Sequence, residues 1–179
     1  IATDGGALPS PEQRDEILLA PGERIEVMVQ GARPGGSYRL VSLPYNRGGM
    51  GMGMMGGASS GPAVLATLVY QGQAGSTWSL PQRLVNIDPL PEPSVRRSFQ
   101  LGQGMGMGMG MMGGGGATFT INGRTFNPGR VDTRVVLNSV EEWDFINPTM
   151  MDHPMHVHTN PFQVVGSDGA PLRAWKDVA

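Results

Sequence analysis

The chain has 179 residues, with 28 Gly, 15 Pro, 13 Met, 3 His and no Cys, long enough for one or two domains with a real core. The lack of Cys excludes disulfide scaffolds, thiolate zinc sites, iron–sulfur clusters and a cysteine nucleophile. A formal net charge of -2, with one Lys among 13 basic residues, excludes the clustered basic footprint of a nucleic-acid binder, and no window approaches the ~18 apolar residues of a membrane span. From the N-terminus, Ser10-Pro-Glu-Gln-Arg-Asp-Glu16 carries a capping-box pattern and predicts at most one or two helical turns. After the turn signal Pro21-Gly22, Arg24–Gln30 puts Ile25, Val27 and Val29 on one face at period two, which predicts a strand. Tyr38–Leu43 and Ala63–Tyr70 read as strands for the same reason. Between Gln71 and Val95 the composition turns Pro-rich, with four Pro from 81 to 93, and predicts an extended connection. Further strands are expected at Ala117–Ile121, Arg134–Asn138, Val140–Asn147 and Val157–Gly166. Asn122-Gly123 signals a two-residue hairpin turn, whose central positions both need positive φ, and Ser167-Asp-Gly169 signals another turn. Short strands at this spacing predict an all-β sandwich or barrel. The expected organisation is two partial domains, 1–72 and 96–179, joined by a Pro-rich linker over 73–95.

Two runs interrupt this ordinary pattern. Arg47–Gly57 and Gly102–Gly116 hold 15 of the 28 Gly and 9 of the 13 Met. The Met residues are Met50, Met52, Met54 and Met55 in the first run, and Met105, Met107, Met109, Met111 and Met112 in the second. Alternating Gly weakens both helix and strand, so exposed, mobile loops are expected. Exposed Met loses hydrophobic free energy without a packing return. Its soft, polarizable thioether suits Cu(I), which makes these runs candidate transient Cu(I) sites. The bland alternative is a glycine-rich linker with incidental Met.

All three His fall within Asp152-His-Pro-Met-His-Val-His158. On a strand, His156 and His158 share a face because side chains alternate. His153 has the opposite parity, and Pro154 beside it lacks an N–H, which suggests a bulge or a strand entry. Two imidazoles are thus expected at one site and a third elsewhere. Imidazole suits Zn, Cu, Fe and Ni, and the plain alternative is three His satisfied by ordinary hydrogen bonds. Zinc would account for the His but not for the Met runs; copper accounts for both.

Asp152-His-Pro-Met-His-Val-His-Thr-Asn-Pro-Phe-Gln-Val-Val165 resembles the H-P-x-H-x-H copper motif of the multicopper oxidase family, which includes laccases and cuprous oxidases. Leu19-Ala-Pro-Gly-Glu-Arg-Ile-Glu-Val-Met-Val29, Phe119-Thr-Ile-Asn-Gly-Arg-Thr-Phe126, Val140-Glu-Glu-Trp-Asp-Phe-Ile-Asn147 and Ala174-Trp-Lys-Asp177 are similar to the same family. The Met-rich runs are similar to insertions in bacterial members that oxidise Cu(I). The resemblance implies cupredoxin-like β-sandwiches of Greek-key type, the end of a second domain and the first part of a third. It implies a periplasmic or secreted protein, although the opening Ile-Ala-Thr-Asp-Gly-Gly6 is no signal peptide. By position, it implies His153 as a type 1 copper ligand, His156 as a type 2 ligand and His158 as a type 3 ligand, with phenolic molecules or Cu(I) as reductant and dioxygen as acceptor. The family also uses further His pairs and a His-Cys-His motif, and a blue site needs a thiolate; this sequence has neither. An internal piece, about a third of an oxidase, is therefore expected, with self-association or a complementing chain to cover unpaired edges. A non-enzymatic copper-binding or copper-tolerance module is the alternative, and an interaction module with vestigial copper residues is a third reading.

Overall fold

The computed structural model describes residues 1–31, 35–45, 61–72, 75, 79–105, 117–166, 168–172 and 174–179. Among them the chain forms eight strands and no helix. Two compact units emerge. The first comprises Ile1–Pro89 with Pro154–Ala179, and the second Leu90–His153.

In the first unit, β1 (Ala2–Thr3) lies between β2 (Gly6–Ala7) and β3 (Ile25–Glu26), antiparallel to both. Asp4-Gly5 forms the tip of the β1–β2 hairpin. A Cβ on Gly5 would stand 2.2 Å from the Trp175 carbonyl oxygen, so only glycine lets this tip approach the C-terminal segment, and its N–H donates to that carbonyl at 3.0 Å. A separate antiparallel pair joins β4 (Ser37–Ser42) to β5 (Ala63–Val69), with a register shift between Leu40 and Val41. Every residue of β5 is exposed.

The second unit is a three-stranded sheet. Its long central strand β6 (Val95–Met105) pairs antiparallel with β7 (Ala117–Ile121) and parallel with β8 (Glu141–Ile146). Alternation puts Arg97, Phe99 and Leu101 on one face of β6, and Glu141, Trp143 and Phe145 on one face of β8. Phe99 packs 4.9 Å from Trp143 and 5.3 Å from Phe145, ring centre to ring centre. Phe99 and Leu101, with Val178 in the first unit, are the buried apolar side chains among the described residues. Beside the rings, Arg97 grips the nearly enclosed Glu141 carboxylate with two N–H donors at 2.7 and 3.0 Å.

The expected all-β class stands, and so do the strands over 38–43, 63–70, 117–121 and 140–147 to within a residue or two. The turn at Asn122-Gly123 is formed, with φ of 51° and 74°, and Ile121 and Arg124 exchange both main-chain hydrogen bonds across it. Other expectations need correction. Ser10–Glu16 forms no helix; one or two isolated turns cost more in nucleation than they return without a face to bury. The strand over 24–30 shrinks to Ile25–Glu26, because Val27, Met28 and Val29 find no strand partner among the described residues and stay about half exposed. Arg134–Asn138 is not a strand: the chain turns there, with Ser139 N–H donating to the Val136 carbonyl and Asn138 at φ 64°. Over 157–166 there are only isolated bridges, at Phe162 and Val165. Strand β6 is the element that the composition concealed. Gly102–Met105, expected to start a loop, instead completes it by pairing with Ala117–Thr120.

Candidate metal centre

The C-terminal segment is stitched to the β1–β2 hairpin by one buried carboxylate. Asp4 is fully enclosed. It accepts the N–H groups of Asp177 and Val178 and pairs with Lys176, whose ammonium also pairs with Glu23. Burial works against ionisation of Asp4, but the N–H donors of the main chain and the Lys176 ammonium outweigh it and hold its carboxyl well below the usual carboxylate range. Burial likewise opposes the charge on Lys176, yet its bonds to Glu23 and Asp4 raise its pKa. The Thr3 hydroxyl adds a bond to the Trp175 carbonyl at 2.6 Å.

This stitched segment carries the histidines. Met155 and Ala179 exchange main-chain hydrogen bonds, His156 bridges Val178, and the pairing resumes at Phe162 with Lys176. Between them the chain bows out through His158–Pro161, with Thr159 at φ 77°. A cleft of about 450 Å³ opens there, lined by Asp4, Gly5, His156, His158, Asn160 and Asp177 among others. The His156 and His158 rings meet edge to face at 4.6 Å. His156 Nδ1 lies 2.7 Å from the Asp177 carbonyl oxygen. A carbonyl only accepts, so Nδ1 carries the proton and Nε2 keeps the lone pair.

His153 belongs to the second unit. Its Nε2 lies 3.0 Å from the Thr149 hydroxyl oxygen, which is also 2.6 Å from Asn147 Oδ1. Asn147 Oδ1 is an acceptor, so the hydroxyl proton goes there and Nε2–H of His153 donates to Thr149. That leaves Nδ1 of His153 as the free nitrogen. The Phe119 ring stands 6.2 Å away, edge to face.

His156 and His158 thus line one cleft, brought together by a bowed segment rather than by the regular strand expected. Met105 is the last residue of β6; Met50, Met52, Met54, Met55, Met107, Met109, Met111 and Met112 lie outside the described residues. Among the described residues no three His, Cys, Asp or Glu converge as a metal-holding group. Two imidazoles in one cleft, one with its lone pair freed at Nε2, fit part of a copper ligand set. Sequence reasoning missed Asp4, Arg24 and Asp177 as the scaffold of this cleft. Their signal lay in the Pro-Gly-Glu-Arg24 and Ala174-Trp-Lys-Asp177 stretches, whose chemistry shows only once they meet in space.

A family model described as multicopper oxidase matches residues 92–178. Over 99% of its length this chain is 31% identical to the cell division protein FtsP of Edwardsiella tarda, covering 36% of that protein. It is 27% identical over the same share to the multicopper oxidase mco of Staphylococcus haemolyticus, covering 33%. In three dimensions it resembles the multicopper oxidase from Campylobacter jejuni, described as a metallo-oxidase, with a TM-score of 0.77 and 27% identity over 99% of this chain and 39% of that one. The chain thus spans about a third of the length of the curated relatives it matches.

Proposed function

This chain belongs to the multicopper oxidase family, a family of cupredoxin-fold proteins whose cofactor is copper, and from that premise we propose that it supplies part of the copper site of an oxidoreductase. The reductants proposed are phenolic small molecules or Cu(I), with dioxygen as acceptor. Copper, when bound, supplies one-electron acceptance from the reductant and onward transfer to dioxygen. The chain's own residues bind and orient: His153 would serve a type 1 site through Nδ1, His156 a type 2 site through Nε2, and His158 a type 3 site. The Met residues of the two Gly-rich runs would gather Cu(I) transiently.

One observation carries this reading: His156 and His158 meet at 4.6 Å in a single cleft, with the His156 tautomer fixed by a carbonyl. Titration with Cu(II), followed by electron paramagnetic resonance and chelator competition, tests it. Tight binding should vanish in a His153/His156/His158→Ala variant and survive replacement of Met107, Met109, Met111 and Met112 by Leu, which leaves strand β6 whole and should weaken Cu(I) binding instead. Equal loss of both oxidation states in both variants would overturn the assignment.

A second reading is favoured by the incomplete donor set among the described residues and by the absence of Cys: a non-enzymatic copper binder. Blue colour and oxygen uptake with a phenol after copper loading support the oxidase; colourless binding without oxygen uptake supports the binder. We further propose that 1–72 and 96–179 correspond to parts of two cupredoxin-like domains on either side of the linker at 73–95, and that the protein acts in the periplasm or is secreted. Side chains such as Leu65, Phe126 and Leu137, each more than 60% exposed, support a complementing chain or self-association. No helix among the described residues is long and apolar enough to cross a membrane.

A further inference from the structure

Resting on the reading of His156 as a copper ligand, we propose that Asp177 is its positioning residue, with Arg24 and Asp4 holding Asp177 in place. All three polar parts of Asp177 are engaged. Its carboxylate takes a two-pronged bond from Arg24, Nη1 to Oδ1 at 2.8 Å and Nη2 to Oδ2 at 2.7 Å. Its N–H donates to Asp4 Oδ2. Its carbonyl accepts both the Val157 N–H at 3.1 Å and the His156 Nδ1–H at 2.7 Å.

Arg24 is itself braced. Nη1 also donates to the Gly22 carbonyl at 2.9 Å, and Nη2 to the Asp4 carbonyl at 3.1 Å. One guanidinium fork therefore ties three stretches distant in sequence: the β1–β2 hairpin tip, the turn before β3, and the C-terminal segment. A planar fork suits this task and a lysine would not.

The consequence is chemical as well as mechanical. Which ring nitrogen of a histidine is free for metal is set by the hydrogen bond that the other nitrogen makes. Neutral imidazole in water favours the opposite tautomer, with the proton on Nε2, so His156 needs the Asp177 carbonyl to present Nε2. The carbonyl sits between two tethered groups, the N–H held by Asp4 and the carboxylate held by Arg24. Releasing the carboxylate lets the peptide plane swing and returns His156 toward its solution tautomer.

The test uses the full chain. In the metal-free protein, imidazole 15N shifts recorded under conditions where they show a neutral ring should report Nδ1–H for His156 in the wild type. Arg24→Ala and Asp177→Ala should move the population toward Nε2–H. Arg24→Lys and Asp177→Asn should do so partly, and they keep the measurement possible if the alanine variants fail to fold. Cu(II) affinity should fall by roughly tenfold to a hundredfold, the usual cost of losing an outer-shell partner, and the dispersed amide spectrum of the first unit should persist. An unchanged His156 tautomer in folded variants overturns the proposal. If His156→Ala leaves Cu(II) binding intact while the tautomer still responds to Arg24, the copper reading of His156 fails and its positioning by Asp177 stands.

Discussion

Removing the Asp4 carboxylate should open the C-terminal segment locally. In Asp4→Ala two main-chain donors, the N–H groups of Asp177 and Val178, lose their acceptor, and Lys176 keeps only Glu23. Each donor left without a partner costs about 1–3 kcal/mol. Taking the low end of that range, because the segment lies near solvent, and adding the weakened ion pair gives about 3 kcal/mol. Every 1.36 kcal/mol is tenfold in an equilibrium, so the opening constant of the segment should rise roughly a hundredfold. Native-state hydrogen exchange at the Asp177 and Val178 amides reads this directly. Asp4→Asn keeps one acceptor oxygen and should cost about 1 kcal/mol, roughly fivefold. The order wild type, Asn, Ala is as diagnostic as the magnitude. Equal protection of both amides in all three proteins would show that the carboxylate does not hold the segment.

Two further predictions concern the second unit. Glu141 is held at a pKa of about 2, against an ordinary 4.5, by the bonds from Arg97 and the Trp143 indole. A depressed carboxylate contributes stability that is complete above about pH 4.5 and is lost as pH falls to about 2. Acid titration of Trp143 fluorescence should therefore show a smaller loss in Glu141→Gln than in wild type over that window, and parallel curves would refute the assignment. Phe99→Ala should remove about 3–5 kcal/mol, because Phe99 packs on both Trp143 and Phe145; a loss below about 1 kcal/mol in denaturant titration would show that these rings are not the core.

The sequence made some of this legible and hid the rest for identifiable reasons. Phe119-Thr-Ile121, the Asn122-Gly123 turn and Glu141–Ile146 were readable because local pattern and local structure agree there. Strand β6 was hidden because Arg96 and Arg97 read as polar and Gly102 and Gly104 as loop. Its signal was the alternation of Val95, Arg97, Phe99 and Leu101, in which an inward Arg is stabilised by Glu141 from another strand. The overlong expectations at 24–30 and 134–138 fail for the converse reason. Apolar β-branched residues, at period two in Ile25, Val27 and Val29 or adjacent in Val135 and Val136, predict a strand only if some other strand pairs with them, and among the described residues none pairs with Val27, Val29, Val135 or Val136. The scaffold of the cleft was not legible at all, since residue 4 meets 177 only through the fold.

The density of histidine in Asp152–His158 also takes on a different meaning. The motif is compact in sequence, and the division between the two compact units falls between His153 and Pro154, next to the histidine that strand parity sets apart. Each histidine is oriented by its own unit, His153 by Thr149 and Asn147, and His156 by Asp177. The nitrogen left free differs accordingly, Nδ1 in one and Nε2 in the other. Two scaffolds that share no side chain can fail separately. Asp4→Ala should therefore loosen His156 and leave the Thr149–His153 bond intact, whereas Asn147→Ala should free the Thr149 hydroxyl to turn toward His153 without exposing the Asp177 and Val178 amides. A single rigid copper-binding loop would answer both substitutions alike, and imidazole 15N shifts of His153 and His156 in the two variants tell these cases apart.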